Sequence, residues 1–284
     1  MSQTTQPTPA PQVDDYQQRL INNVRRLIET NWCRPTPNIR VLDMGCDTSG
    51  LQLAHLAKLI RGEVVGINIP EDFPSEAAIA AAGDRVTLAR MDGTRLDFAD
   101  NSFDMVISAN VMEHVQDPKA YLAEAARVLK PSGLAYVETA PVWSGPRGHH
   151  IHDDMIASNC PKETNYRNDG TVIPDWSHLT RSEDEMRRLL ADRLRTETID
   201  YVCWYLYQSG DLNKTSWSVI SKSLKSHFDH ISIFTWEAET VDPDVKPETN
   251  NENHDVFGFA ATCRKLPANP IVRRLAWRLR RMGL

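Results

Sequence analysis

Val41-Leu42-Asp43-Met44-Gly45-Cys46-Asp47-Thr48-Ser49-Gly50 is the stretch from which the fold of this 284-residue chain is read. Ile39 to Met44 is an apolar run interrupted by one acid, the pattern of a buried strand. A tight turn of small residues follows, and Leu51 to Arg61 has the periodicity of an amphipathic helix. Gly45 has no Cβ, so backbone can approach a ligand closely, and the free N–H groups of the next helix face the same crevice. That is a site for a nucleotide-like ligand. In a dinucleotide-binding turn further glycines seat a pyrophosphate, whereas Asp47 and Ser49 stand at those places here. A carboxylate at position 47 repels a pyrophosphate and suits a cationic ligand. Asp47 can equally serve as the cap of the helix.

Outward from this unit, strand and helix signals alternate. Asp14 to Trp32 carries Leu20, Val24, Leu27 and Ile28 at helical spacing, predicting a helix over the crevice. Strands are predicted at Glu63–Ile69, Arg85–Met91, Phe103–Ser108 and Leu134–Thr139, with an Ala-rich helix at 75–82. A further helix starts at Asp117-Pro118 and is stopped by Lys130-Pro131-Ser132-Gly133. Such alternation argues for a parallel sheet covered on both faces, with ligands outside the carboxyl ends of its strands. The pattern breaks between Ala140 and about Ser216, where Ser182 and Glu185 form a capping box and Ile199–Tyr207 favours helix. Trp217–Phe228 predicts another helix, and Ile231–Ala238 and Val256–Arg264 two closing strands. The expected organisation is a disordered N-terminus (1–12), a core (13–140), a lid that binds substrate (141–215), the end of the core (216–266) and a C-terminal helix (267–284).

Apolar residues make up 41% of the chain and charged residues 25%, as in ordinary globular proteins. The net charge of −6 argues against general nucleic-acid binding. No apolar run is long enough for a membrane span, and no signal-peptide core is present, so the expected location is the cytoplasm. Five scattered cysteines without a Cys-x-x-Cys pair read as reduced thiols.

The residues just beyond the strands are polar: Asn68-Ile69, Asp92-Gly93 and Ser108-Ala109-Asn110, followed by Glu113-His114. With the opening turn and the Arg127-Val128-Leu129-Lys130-Pro131-Ser132-Gly133 helix end, residues 38–140 resemble the class I S-adenosylmethionine-dependent methyltransferases. The resemblance implies a Rossmann-like α/β fold with seven strands, the last antiparallel, and a helical lid after the fifth. It implies S-adenosylmethionine as cofactor, with Asp43, Gly45, Asp47, Asn68, Ile69, Asp92, Gly93 and Asn110 around it. An Asp placed like Asp92 accepts the adenine amino group in that family. An acid usual at position 68 takes the ribose hydroxyls, a task that an amide can share or leave for turn formation.

Methyl transfer needs an aligned acceptor and no water, and a hydroxyl acceptor also needs its proton removed. Beyond the fifth strand stand His149, His150 and His152 beside Asp153 and Asp154, a loop similar to that of bacterial sugar and polysaccharide O-methyltransferases. With His114 these histidines are candidate bases, or surface residues of a turn. His149, His150, Asp153 and Asp154 could together hold Mg2+. Trp143 and Trp176 offer flat faces for a saccharide, with Arg147, Asp175 and His178 as polar contacts. The favoured reading is O-methylation of a small-molecule or oligosaccharide acceptor. N- or C-methylation of a lipid or quinone-like metabolite, and a binding protein without catalysis, remain open. Asn269-Pro270 starts a basic amphipathic segment with five arginines, suited to an anionic membrane surface, to its own domain or to the mate in a homodimer.

Overall fold

The computed structural model describes residues 13–31, 39–70, 73–75, 78–80, 83–240, 246–247 and 252–266. The expectations for residues 1–12, for Cys33 and for the basic C-terminal segment lie outside them. Seven strands form one sheet: β1 (Arg40–Met44), β2 (Glu63–Asn68), β3 (Val86–Arg90), β4 (Phe103–Ala109), β5 (Leu129–Thr139), β6 (His230–Glu237) and β7 (Val256–Arg264). Their order is β3-β2-β1-β4-β5-β7-β6, and β7 is antiparallel to both of its neighbours. The seven-stranded sheet with an antiparallel last strand is the one that the resemblance implied.

The near-continuous apolar runs of β1 and β4 follow from helices covering both faces. Leu42, Met44, Val65, Ile67 and Val106 pack on one face with Leu122 and Ala125 of α3 (Pro118–Val128) and Ile220 and Leu224 of α8 (Trp217–His227). Val41, Val64, Met105 and Ile107 alternate to the other face. They meet Val24 of α1 (Asp15–Asn31) and Leu53 and Leu56 of α2 (Leu51–Ile60). The period-two split of a single strand between two cores is the physical content of the opening sequence.

β5 begins five residues earlier than the sequence predicts. Leu129 already pairs with Phe103, and the register then shifts so that Leu134 faces Met105. Lys130-Pro131-Ser132-Gly133 thus stops α3 while continuing as an irregular strand edge. Of the helix expected at 75–82, residues 78–80 are described and are helical.

The insertion after β5 carries α4 (Asp153–Asn159), α5 (Ser177–Thr180), α6 (Glu183–Leu190) and α7 (Thr196–Tyr207). Ser182 and Glu185 make the expected capping box. Ile151, Ile156, Met186, Leu190, Val202 and Leu206 belong to a third apolar cluster, so the insertion has a core of its own. Asn213 ties it to the sheet, its N donating to Glu113 O at 3.0 Å and its Nδ2 to Val115 O at 2.7 Å. Among the described residues no helix is long and apolar enough to cross a membrane.

Candidate functional site

A cavity of about 540 Å3 opens at the carboxyl ends of β1 to β4. Gly45, Asp47, Asn68, Ile69, Asp92, Gly93 and Asn110 line it, together with His114. Gly45 has φ +86, and a Cβ there would lie 2.3 Å from Val111 Cγ2, so no other residue fits without moving that wall. The N–H groups of Gly45 and Cys46 both donate to Ile67 O, at 2.8 and 2.9 Å, which stitches the turn to the end of β2. Asn68 reinforces that join: its Nδ2 donates to Cys46 O and its Oδ1 accepts from Ile69 N. The amide at position 68 therefore holds the turn as well as facing the cavity.

Asp47 does not cap α2. Gly50 occupies the cap position with φ +70, and no side chain caps there. Asp47 Oδ2 instead accepts from the Ser49 hydroxyl, from Ser49 N at 3.2 Å and from Gln17 Nε2 of α1 at 3.2 Å. Its other oxygen, Oδ1, is buried in the wall with no hydrogen-bond partner. Asp92 Oδ1 accepts from Thr94 N and Oγ1, both at 2.8 Å, which fixes the carboxylate at the mouth. Asp43 departs from the expectation: it is 1% exposed, lies behind the lining and accepts from Gln52 Nε2 at 3.0 Å. Burial pushes its pKa up to about 7 against the opposing Gln52 hydrogen bond, with the Asp47 charge adding to the rise.

At one end of the cavity the Glu113-His114 turn meets the insertion. Glu113 Oε2 accepts from Thr139 Oγ1 at 2.9 Å, while Glu113 Oε1 lies 3.4 Å from His150 Nε2 and has no hydrogen bond. His114 Nδ1 lies 3.3 Å from Asp211 Oδ2, and the His114 and His150 rings meet edge to face at 5.1 Å. Burial alone would lower the His114 pKa, but the Asp211 hydrogen bond and the Glu113 and Asp211 charges reverse the sign and raise it. His114, chiefly, and Tyr205 hold Asp211 down at about 2 against its burial. One ligand atom each from Glu113, His114 and His150 lies within 4.8 Å of the others.

The remaining insertion residues sit differently from the sequence expectation. His149 is 1% exposed, its Nδ1 accepts from Ile151 N at 3.1 Å, and burial holds its pKa well below the ordinary value. His152 packs on His150 at 4.5 Å and contacts Asn168 Nδ2 at 3.2 Å. Asp153 and Asp154 are exposed and accept from Asn168 N and Met155 N. Among the described residues His150 is thus the one member of the expected Mg2+ set that joins a ligand cluster, and its partners are Glu113 and His114.

Trp176 is 1% exposed and its indole N–H donates to His254 O at 2.9 Å, so it presents no face to a saccharide. Asp175 is buried 3.4 Å from Arg147 Nε, and Arg147 also donates to Asn168 O and Glu239 O. His178 is buried, donates from Nε2 to Trp143 O at 2.7 Å, and has its pKa pushed down to about 4 by burial. These side chains brace the insertion and tie it to Glu239 and His254, between β6 and β7. Trp143 is half-buried, with its ring edge to face on His178 at 4.7 Å.

Two positions at the cavity escaped the sequence reading. Tyr121 reads as a core residue of α3, yet it lines the cavity with its hydroxyl donating to Met44 O at 2.8 Å and contacting Ser108 Oγ. Its ring lies where a Cβ on Gly93 would fall, 2.4 Å from Tyr121 Cε2. Asp211 has no signal beyond a lone acid after Ser209-Gly210.

The family described as "Methyltransferase domain" matches residues 42–137, about a third of the chain. An uncharacterized methyltransferase of Mycobacterium sp. (strain JLS) is 45% identical over 118 residues, 40% of this chain and 44% of that protein. A ubiquinone biosynthesis O-methyltransferase of Mesorhizobium japonicum is 33% identical over 108 residues, 37% of this chain and 43% of that one. The chain thus spans less than half the length of these curated relatives. The crystal structure of the YcgJ protein from Bacillus subtilis aligns with a TM-score of 0.49 at 15% identity, over 88% of this chain and all of the other.

Proposed function

We propose that this chain, whose residues 42–137 match a methyltransferase domain, is a class I S-adenosylmethionine-dependent O-methyltransferase acting on a hydroxyl of a sugar or glycan acceptor. The observation that carries the proposal is one cavity with two chemistries. Gly45, Asp47, Asn68 and Asp92 line it, and so does His114 of the Glu113–His114–His150 group.

The residues fit the cofactor. Asp47 holds a buried carboxylate oxygen without a partner, which a cationic amine would supply. Gly45 removes the Cβ that would keep backbone from the ligand, and Asp92 is an acceptor-only group suited to an amino donor. When bound, S-adenosylmethionine supplies a methyl group on a positively charged sulfur, open to in-line displacement by an acceptor. The chain's own part is to bind, to align and to take a proton. Tyr121, Val111 and His114 wall the cavity, and His114 groups with Glu113 and His150, residue types suited to hydrogen-bond a hydroxyl and take its proton.

A second hollow, of about 480 Å3, supports the saccharide class. Tyr201, Trp204 and Tyr205 line it with Asp211, and Trp204 is 49% exposed. Asp211 joins the two hollows, since its Oδ2 accepts from the Tyr205 hydroxyl at 2.6 Å and lies beside His114. Trp204 thus offers an exposed aromatic face, which buried Trp176 does not.

The test is calorimetric titration with S-adenosylmethionine, followed by transfer of a labelled methyl group to free sugars and oligosaccharides. Cofactor binding with label recovered as a methyl ether is the expected outcome. Label on nitrogen or carbon of a lipid or quinone-like compound would overturn the hydroxyl assignment. Absence of cofactor binding would leave a binding protein without catalysis.

A further inference from the structure

We infer that Glu113, His114 and His150 form a binding site for one divalent transition-metal ion, at the end of the cavity lined by His114. Three independent features of the cluster carry this. The first is spacing. Ligand atoms bonded to one ion at roughly 2.0–2.2 Å lie at most about 4.4 Å apart, and nearer 3.4 Å in a tetrahedral arrangement. Glu113 Oε1 and His150 Nε2 are 3.4 Å apart, and the ligand atoms of all three residues lie within 4.8 Å. Bringing a pair 4.8 Å apart to the tetrahedral separation takes about 0.7 Å at each of its two atoms.

The second feature is unmet bonding. Glu113 has a side chain 4% exposed, and its Oε1 has no hydrogen bond although Oε2 is engaged by Thr139. A buried carboxylate oxygen left without a donor is costly, and an ion would satisfy it. The third is orientation by a neighbouring carboxylate. His114 Nδ1 faces Asp211 Oδ2, which fixes the tautomer that leaves the Nε2 lone pair available. Asp211 is itself held by Tyr205, so a carboxylate–histidine arm is already in place.

The donor set selects the ion. Two imidazoles and one carboxylate suit Zn2+, Mn2+, Co2+ or Fe2+, whereas Mg2+ prefers oxygen ligands and waters. This separates the site from the Mg2+ set expected at His149, His150, Asp153 and Asp154. Three protein ligands leave coordination positions open. An acceptor hydroxyl bound at one of them would have its pKa lowered and would release its proton to solvent water, with the imidazoles serving as ligands rather than as the base. That consequence rests on the hydroxyl methyltransferase reading; ion binding does not.

Protein freed of metal with a chelator is titrated with Co2+, followed by its visible absorption, and with Zn2+ in competition, both without cofactor or acceptor. One ion per chain is expected. Glu113→Gln and His150→Gln should each lose more than about tenfold in affinity, and Asp211→Asn about 10- to 100-fold through His114. Thermal melts of each variant confirm that the fold is kept, and His114→Gln/His150→Gln serves as the reference. Wild-type binding no tighter than that of the double variant, or more than one equivalent site unaffected by these substitutions, overturns the inference. Methyl transfer by metal-free protein at an undiminished rate would remove the ion from catalysis and leave the O-methyltransferase reading standing. Stoichiometric binding without methyl transfer to any hydroxyl would do the reverse.

Discussion

Asp43→Asn tests how the central turn treats charge. The Asp43 carboxyl is 1% exposed, and burial lifts its pKa from 3.8 to about 7. A rise of about three units corresponds to about 4 kcal/mol, a ceiling because local rearrangement relieves part of it. The folded-state pKa is the raised one, so the contribution to stability is fully present below about pH 4. It is lost as pH rises to about 7, where the folded state must also ionise. Asparagine keeps an acceptor for Gln52 Nε2 and does not titrate. The difference in unfolding free energy between Asp43→Asn and wild type should therefore grow from pH 4 to pH 8, in favour of the variant, toward that ceiling. Urea unfolding of both proteins at pH 4, 6 and 8 measures it, and other titrating groups cancel in the difference. Cofactor affinity should move the opposite way at pH 8, because the variant removes a negative charge that adds to that of Asp47. Parallel pH profiles for the two proteins would refute the burial argument.

Three further outcomes are expected. Gly45→Ala places a Cβ 2.3 Å from Val111 Cγ2 at φ +86, whereas Gly83→Ala, at φ +89, meets nothing within 4 Å. The first should lose about 2–4 kcal/mol of stability and most cofactor affinity, the second only the roughly 1 kcal/mol of backbone strain; denaturation and calorimetry on both separate clash from strain. Asp92→Asn should weaken cofactor binding about tenfold with little change in melting temperature, because the exposed side chain contributes an acceptor and little packing. His178 has its pKa lowered from 6.5 to about 4, so its contribution to stability is present above pH 6.5 and lost as pH falls toward 4. His178→Gln should then lose about 2 kcal/mol less than wild type between pH 7 and pH 5, and equal losses in urea titrations would refute the assignment.

How much of this could be read in advance depends on how far apart the cooperating residues stand in the chain. The cavity lining was legible because each contributor follows its own strand. Val41 to Met44 announces β1 by apolar continuity, and Gly45 comes next; Asn68 and Asp92 repeat the arrangement after β2 and β3. Parallel pairing then brings these strand ends to one edge, with Met44 opposite Ile67 and Asn68 opposite Arg90. Local pattern plus a rule of topology suffices. The start of β5 escaped because Lys130-Pro131-Ser132-Gly133 carries turn chemistry, while its backbone is captured by β4 across a register shift. Tertiary pairing overrode local preference there.

The insertion obeys different logic. His149 and His150 are neighbours of identical chemistry, yet one is sealed beside His178 and the other reaches Glu113. Adjacent residues outside a helix or strand carry no rule for the side they face, so the pair could not be split from sequence. The split came from contacts with His178, 29 residues after His149, and with Glu113, 37 residues before His150.

Asp211 lies farther still, 97 residues beyond His114, and it arrives because Asn213 clamps the insertion onto the Glu113-His114 turn. That clamp has a consequence for function. The strand ends are held by the sheet, whereas Asp211 and His150 are held by the insertion, so the cluster is complete only while the insertion is docked. Asn213→Ala should therefore leave cofactor binding near wild type while weakening whatever depends on Glu113, His114 and His150 together, and equal losses in both would show that the insertion and the cofactor wall act as one unit.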